Sequence, residues 1–375
     1  MSMRQLPNTI LVFLFLLIIS LPLVDRQLGL RWDSFISTEK RLLAVQPRFT
    51  WNSIVVFPRK YEEYFNDNFS FRTLLVKINS YLLRRAFGLS AIPDVVIGKD
   101  GWLYLTSKDY GNSLEDYMGL IDVDQGTLEL IRINLEQRTK ELQAKGIQFL
   151  VVVAPDKQSI YPDYLPDNWK RNKRYSTRLD QVVEYLKAKS TVQILDVRNA
   201  LLKERKTAQF PLYKKTDSHW NYFGAFVAYQ QIMASFSMMP LQKKDFQWQQ
   251  QTAQSGDLAE MLAASDQYKE ENDITFSPIV KSKVTFVETE NAYGTSLESK
   301  RLVASNKDRL STKLLVFHDS FGEGLFKFLS NHFGESVFIN SNLFSMAIVE
   351  KEKPNVVVFE LVERFSLSLS WKELK

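Results

Sequence analysis

The 375-residue chain contains no cysteine and only three histidines. The first absence excludes structural disulfides, cysteine nucleophiles and thiolate metal centres together. It leaves the compartment open, because many envelope proteins also have no disulfides. The second confines any imidazole chemistry to His219, His318 and His332. An excess of one charge is also missing: 48 Lys and Arg stand against 43 Asp and Glu, a formal net charge of +5. So small an excess, spread along the chain, gives nucleic acid little to hold, and no nucleic-acid partner is expected. It is compatible with an anionic membrane surface or an acidic polysaccharide. There is no internal repeat and no low-complexity tract.

One long hydrophobic run is present. Residues 5–24 carry no charge and residues 10–24 are almost wholly apolar. A helix spanning a bilayer needs roughly 20 such residues. A cleaved signal peptide competes with an uncleaved anchor, but Ser20-Leu-Pro-Leu-Val offers no small-x-small cleavage triplet, so the anchor is favoured. Either reading places the rest of the chain outside the cytoplasm. The expected organisation is a membrane anchor at 1–27 and a membrane-proximal helical segment at 28–90, beginning with a polar stalk at 28–40. An α/β domain follows at 91–370.

Within 91–370, Val95-Val-Ile-Gly-Lys-Asp-Gly-Trp-Leu-Tyr-Leu predicts a hairpin, with Asp100-Gly101 supplying the positive-φ turn. Helical spacing at 124–145 ends on Gly146, and a continuous apolar run at 147–154 predicts a strand covered on both faces. Helices at 176–187 and 223–236 and strands at 192–197, 313–317, 336–339 and 355–361 continue the alternation. Such alternation predicts a parallel sheet with helices on both faces. It pauses at about 240–310, a polar stretch without sustained periodicity that predicts an insertion.

Ser320 directly follows an apolar strand, in Leu314-Leu-Val-Phe-His-Asp-Ser-Phe-Gly. Sites in open parallel sheets form at the carboxyl ends of strands, and a helix opened by the serine would help stabilise an oxyanion. A plain helix cap is the bland alternative. A serine hydroxyl also needs a base, and the base needs a partner on its second ring nitrogen. Asp217 and His219, in Thr216-Asp-Ser-His-Trp-Asn, supply both; alternate residues of an extended segment point to one side. Asp217, His219, His318 and Asp319 together would also suit a metal, although Asp319 should point away from His318 if the strand continues. No metal and no cofactor are expected. His332 reads as an ordinary histidine of a helix-like segment.

Taken together, these motifs resemble the SGNH hydrolases, and within them the alginate O-acetyltransferase (AlgJ/AlgX-like) group. The likeness rests on Ile97-Gly-Lys-Asp-Gly-Trp-Leu-Tyr, Val153-Ala-Pro-Asp-Lys-Gln-Ser-Ile-Tyr-Pro, Thr216-Asp-Ser-His-Trp-Asn and Phe317-His-Asp-Ser-Phe-Gly. Phe65-Asn-Asp-Asn-Phe-Ser-Phe-Arg and Gly256-Asp-Leu-Ala add weaker support. The resemblance implies an SGNH hydrolase-like parallel sheet with flanking helices. It implies Ser320 as nucleophile, His219 as general base and Asp217 as its orienting carboxylate. It further implies acetyl transfer to an exported polysaccharide, a membrane-bound O-acyltransferase as donor partner, and a periplasm-facing domain on the bacterial inner membrane. His318 stands where the SGNH block has glycine, and no clear counterparts of the SGNH glycine and asparagine blocks are found. An esterase and a non-catalytic polysaccharide-binding scaffold are the rival readings. The Gly98-to-Tyr104 hairpin and Pro155-Asp-Lys are expected to define the fold, and Arg364 to form a structural ion pair.

Overall fold

The computed structural model describes residues 5–28, 44–69, 71–169, 171, 175–192, 194–289, 301–309 and 312–371. The expected polar stalk at 28–40 lies almost wholly outside them. The described chain divides into two compact units, Met1–Ile92 with Ala259–Ser265, and Pro93–Leu258 with Asp266–Lys375.

In the first unit the apolar run forms a helix, Gln5–Leu28. Its side chains from 9 to 17 are exposed. Among the described residues, however, no helix is long and apolar enough to cross a membrane. The structure therefore confirms a helix here but not the expected membrane span. Two more helices follow, Phe57–Asp67 and Arg72–Phe87, the second stopped by Gly88 at φ 63°. Ser80, buried in this unit, donates to the Leu262 carbonyl at 2.6 Å.

The second unit opens with a hairpin of β1 (Val95–Ile97) and β2 (Leu103–Leu105). Asp100 (φ 53°) and Gly101 (φ 77°) make the positive-φ turn that Asp-Gly predicted. Next come β3 (Gln148–Ala154) and β4 (Ile194–Asp196), then a separate antiparallel pair, β5 (Phe246–Ala253) and β6 (Glu270–Pro278). The remaining strands are β7 (Val284–Thr289), β8 (Arg301–Asn306), β9 (Lys313–His318), β10 (Glu335–Asn340) and β11 (Val356–Val362).

The main sheet has seven strands in the order β4-β3-β11-β9-β10-β8-β7. Its first five are parallel, whereas β8 and β7 join antiparallel at the β10 edge. The polar stretch at 240–310 is thus richer in strands than its sequence suggested. Most of β7 is exposed, and a solvated antiparallel edge strand does not need the apolar run that marks a buried parallel one. β11 is buried throughout, and apolar clusters cover both faces of the sheet. One cluster packs the helix Tyr222–Ser235, and the other packs the helices Gln125–Ala144 and Arg178–Lys189.

From β3 the chain moves to one side of the sheet, and from β9 to the other. This reversal opens a crevice at the carboxyl ends of the strands, where open α/β sheets place their sites.

Candidate active site

β9 is buried from Leu314 to His318 and delivers the exposed Ser320 at its carboxyl end. The expected helix does not open at Ser320. A 3-10 turn, Gly322–Leu325, and a single helical turn, Phe326–Leu329, follow instead. Apolar residues continue after the strand, but two glycines interrupt the first turn and weaken the helix. Among the described residues the Ser320 hydroxyl caps no helix; it faces His219.

Asp217 and His219 arrive on a tight hairpin. Tyr213 bridges Trp220, Lys214 N–H donates to the His219 carbonyl at 3.2 Å, and Asn221 N–H donates to the Leu212 carbonyl at 3.0 Å. Asn221 then caps the helix Tyr222–Ser235 by accepting from the N–H groups of Phe223 and Gly224. Turn and cap together fix where the imidazole points.

The structure brings all the predicted site residues into one hydrogen-bonded chain. His219 Nε2 lies 2.7 Å from Ser320 Oγ, and His219 Nδ1 lies 2.6 Å from Asp217 Oδ1. The His219 main-chain N–H also donates to Asp217 Oδ1 at 2.9 Å, holding the carboxylate against its partner. Burial by itself would raise the Asp217 carboxyl. The hydrogen bond and charge of His219, aided by Lys214, outweigh it and hold the group well below the usual carboxylate range. Asp217 is therefore an anion, an acceptor able to keep the His219 proton on Nδ1 and leave Nε2 for the serine. Trp220 ties the two segments together, its Nε1–H donating to the Phe321 carbonyl at 3.0 Å.

The four-residue metal cluster considered from sequence is not assembled. Among the described residues, the carboxylate that joins Asp217 and His219 is Asp257, with one ligand atom of each within 4.8 Å of the others. Those atoms have other duties. Asp257 accepts from the Ser218 N–H at 2.7 Å and the Ser218 hydroxyl at 2.6 Å, and stands 3.7 Å from His219 Nδ1. His318 is buried between Phe326 and Phe338, and burial pushes its imidazole down to about 4. Asp319 is spent on the main chain, accepting from Phe321 N–H at 2.8 Å and Val362 N–H at 2.6 Å. His332 is a core histidine, 2.5 Å from the Tyr229 hydroxyl. Arg364 forms the expected structural pair, buried against Asp156.

Sequence reading missed two acidic supports of the hairpin. Asp257 lies in the weak Gly-Asp-Leu-Ala motif, which was the available signal. Glu270 had none: it accepts from Lys215 N–H at 2.8 Å and from the N–H and hydroxyl of Thr216, each at 2.7 Å.

A mostly parallel sheet with a Ser–His–Asp chain at its carboxyl ends is shared by several serine-hydrolase folds, and the family match places this one among the SGNH hydrolase-like proteins. More narrowly, the chain belongs to the family described as SGNH hydrolase-like domain, acetyltransferase AlgX, whose model matches residues 95–342. It is similar to the probable alginate O-acetylase AlgJ of Pseudomonas syringae pv. tomato, with 26% identity over 207 residues, 54% of this chain and 49% of that one. AlgJ of Pseudomonas aeruginosa is likewise 26% identical, over 148 residues, 38% of this chain and 33% of that one. The chain thus spans about half the length, or less, of these curated relatives. Among solved structures, Bacillus cereus PatB1 with a sulfonyl adduct aligns with TM-score 0.52 at 16% identity, over 74% of this chain and 98% of that one. A DHHW family protein from Eubacterium siraeum aligns with TM-score 0.50 at 15% identity, over 76% and 100%. At these identities the two structures speak for the fold alone.

Proposed function

We propose that the protein is an O-acetyltransferase that acetylates hydroxyls of an exported, alginate-like polysaccharide through an acyl-enzyme on Ser320. The observation that carries this reading is the unbroken chain from Asp217 through His219 to Ser320, at 2.6 and 2.7 Å. His219 Nε2 takes the hydroxyl proton as Ser320 Oγ attacks the carbonyl carbon of an acetyl ester or thioester. The carbonyl electron pair moves onto oxygen, where the Ser320 main-chain N–H, unpartnered among the described residues, would donate. The intermediate collapses, and the leaving group departs with the proton from His219. A sugar hydroxyl then gives its proton to His219 and attacks the acyl-enzyme, and the same proton returns to Ser320 Oγ. Asp217 accepts the Nδ1 proton throughout and stabilises the imidazolium.

Family membership supports acetyl transfer, and the relatives' names support a polysaccharide acceptor. A membrane-bound O-acyltransferase would supply the acetyl group. By the same resemblance, the domain would face the periplasm from a single-pass inner-membrane anchor at 1–27. The exposure of Ser320 favours one rival: water reaching the acyl-enzyme makes the site an esterase.

The test is Ser320→Ala in a polysaccharide-producing cell. Acetylation of the polysaccharide should disappear while the protein stays folded and membrane-associated, since deleting an exposed hydroxyl changes stability by only about 0.5 kcal/mol. With purified protein and a chromogenic acetyl ester, acetylated glycan should accumulate when glycan is added. Hydrolysis indifferent to glycan would establish the esterase. A folded wild type that no fluorophosphonate labels at Ser320 would leave only the scaffold.

A further inference from the structure

Lys157 is nearly wholly buried, 2% exposed, yet none of the steps above uses it. It opens the short helix Lys157–Ile160, three residues past the carboxyl end of β3. An ammonium has three donors and no acceptor. All three converge on one short segment, reaching the carbonyls of Lys214 at 3.2 Å, Lys215 at 3.1 Å and Asp217 at 2.6 Å. Rings of the β1–β2 hairpin cover the cation, Trp102 at 5.6 Å and Tyr104 at 5.3 Å from ring centre to Nζ. Trp102 is itself stacked on Tyr161 and Tyr164. Burial pushes the ammonium down to about 8, while the charges of Glu270, Asp217 and Asp257 resist the fall; three carbonyl acceptors around one nitrogen call for all three of its donors.

Burying a lysine is costly, and a core that needed only volume would fill the space with an apolar side chain. Here the charge has a geometrical use. Three carbonyls of one hairpin can face the same point only if the main chain curls around something that attracts them all. Leu103 N–H adds a further bond to the Lys215 carbonyl from the hairpin side, at 3.0 Å. On the opposite flank, Gly256 lies so close that a Cβ there would stand 2.3 Å from Asp217 Cβ. The Trp102 hairpin, Pro155-Asp-Lys and the 214–217 segment therefore meet around a single ammonium, and Gly256 packs against the Asp217 it helps hold.

We propose that Lys157 is the positioning residue of the proton relay: its ammonium gathers the carbonyls of Lys214, Lys215 and Asp217 and so sets the Asp217 carboxylate against His219 Nδ1. This rests on the reading of Asp217 and His219 given above. A displacement of about 1 Å in such a pair costs about 100-fold in rate.

The experiment uses the full chain, histidine-labelled with 15N, as wild type and Lys157→Met, a side chain of similar length without charge or donors. Two signals are read: the strongly downfield ring-proton resonance of His219 Nδ1, assigned with His219→Gln, and the rate of Ser320 labelling by a fluorophosphonate. Lys157→Met should lose or shift the resonance and label about 100-fold more slowly, with unchanged probe affinity. A folded Lys157→Met that keeps both the wild-type resonance and the labelling rate overturns the proposal. If that variant does not fold, Lys157→Gln, whose amide still donates two hydrogen bonds, takes its place under the same two criteria. The resonance separates the two ideas. A wild type that shows it and loses it in Lys157→Met, yet transfers no acetyl group, sinks the acetyltransferase reading and leaves the positioning role intact.

Discussion

Ser320 and His219 meet at 2.7 Å, but the regions that carry them are built differently. Ser320 extends from β9, whose parallel neighbours β10 and β11 hold it by a regular main-chain ladder between apolar faces. Asp217 and His219 ride on a hairpin outside any sheet. That hairpin is fixed by side chains acting on its backbone: Lys157 on its carbonyls, Glu270 and Asp257 on its N–H groups. A ladder spreads its strength over many weak bonds, each worth about 1 kcal/mol net. A polar brace concentrates it in a few charged groups with large desolvation costs, where one missing partner strands a buried charge. The serine side should thus yield gradually to substitution and the histidine side abruptly.

Gly256→Ala strikes the histidine side alone. Its new Cβ would lie 2.6 Å from the Asp217 Cα and main-chain nitrogen, and backbone at that distance cannot rotate away. The variant should lose about 2–3 kcal/mol, and Ser320 labelling should fall about 100-fold. A thermal melt and a labelling time course check both, and a wild-type labelling rate would mean the hairpin is more compliant than its bracing implies.

Glu363, just past β11, tests the buried charges on the strand side. Burial raises its carboxyl to about 7, with Arg198 opposing the shift and Asp156 adding to it. A carboxyl raised in the folded state binds more protons there than in the unfolded chain between about pH 4.5 and 7. Its stabilising contribution is complete at the acid end of that window and is lost as pH rises through it. Relative to Glu363→Gln, the wild type should therefore lose on the order of 2 kcal/mol between pH 4.5 and 7 and change little above. Parallel denaturation curves at both pH values would contradict this.

Trp220→Phe removes the indole hydrogen bond that joins the two regions and leaves the Phe321 carbonyl without its 3.0 Å partner. The expected cost is about 1 kcal/mol in stability. Ser320 labelling should stay within about threefold of wild type, since each region keeps its own support. A much larger loss in labelling would show that this bond, rather than the separate scaffolds, registers the serine against the histidine.

How legible each region was in the sequence follows from the same physics. β9, β11 and the carboxyl half of β3 are buried on both faces and so read as continuous apolar runs; the strands' positions were predicted within a residue or two. The Asp100-Gly101 turn was legible because positive φ restricts residue choice. β7 and β8 were not, since a partly solvated antiparallel edge tolerates polar residues and leaves no apolar signature. The helix expected to open at Ser320 was misread because the apolar spacing after the strand outweighed Gly322 and Gly324, whose helix cost leaves only a 3-10 turn there.

The amino-acid order alone determined which chemistry was available. It offered no thiol and three imidazoles, with one of these two residues from a carboxylate, and a serine at the end of an apolar strand. Those features are local, and short-range sterics and burial write them into composition and spacing. The assembly itself was decided by tertiary structure: Asp257 rather than Asp319 beside the imidazole, Glu270 under Thr216, and the Lys157 ammonium under the hairpin. Buried polar partners are chosen by where the folded chain leaves donors and acceptors unmatched, and that matching has no period or composition for a sequence to display.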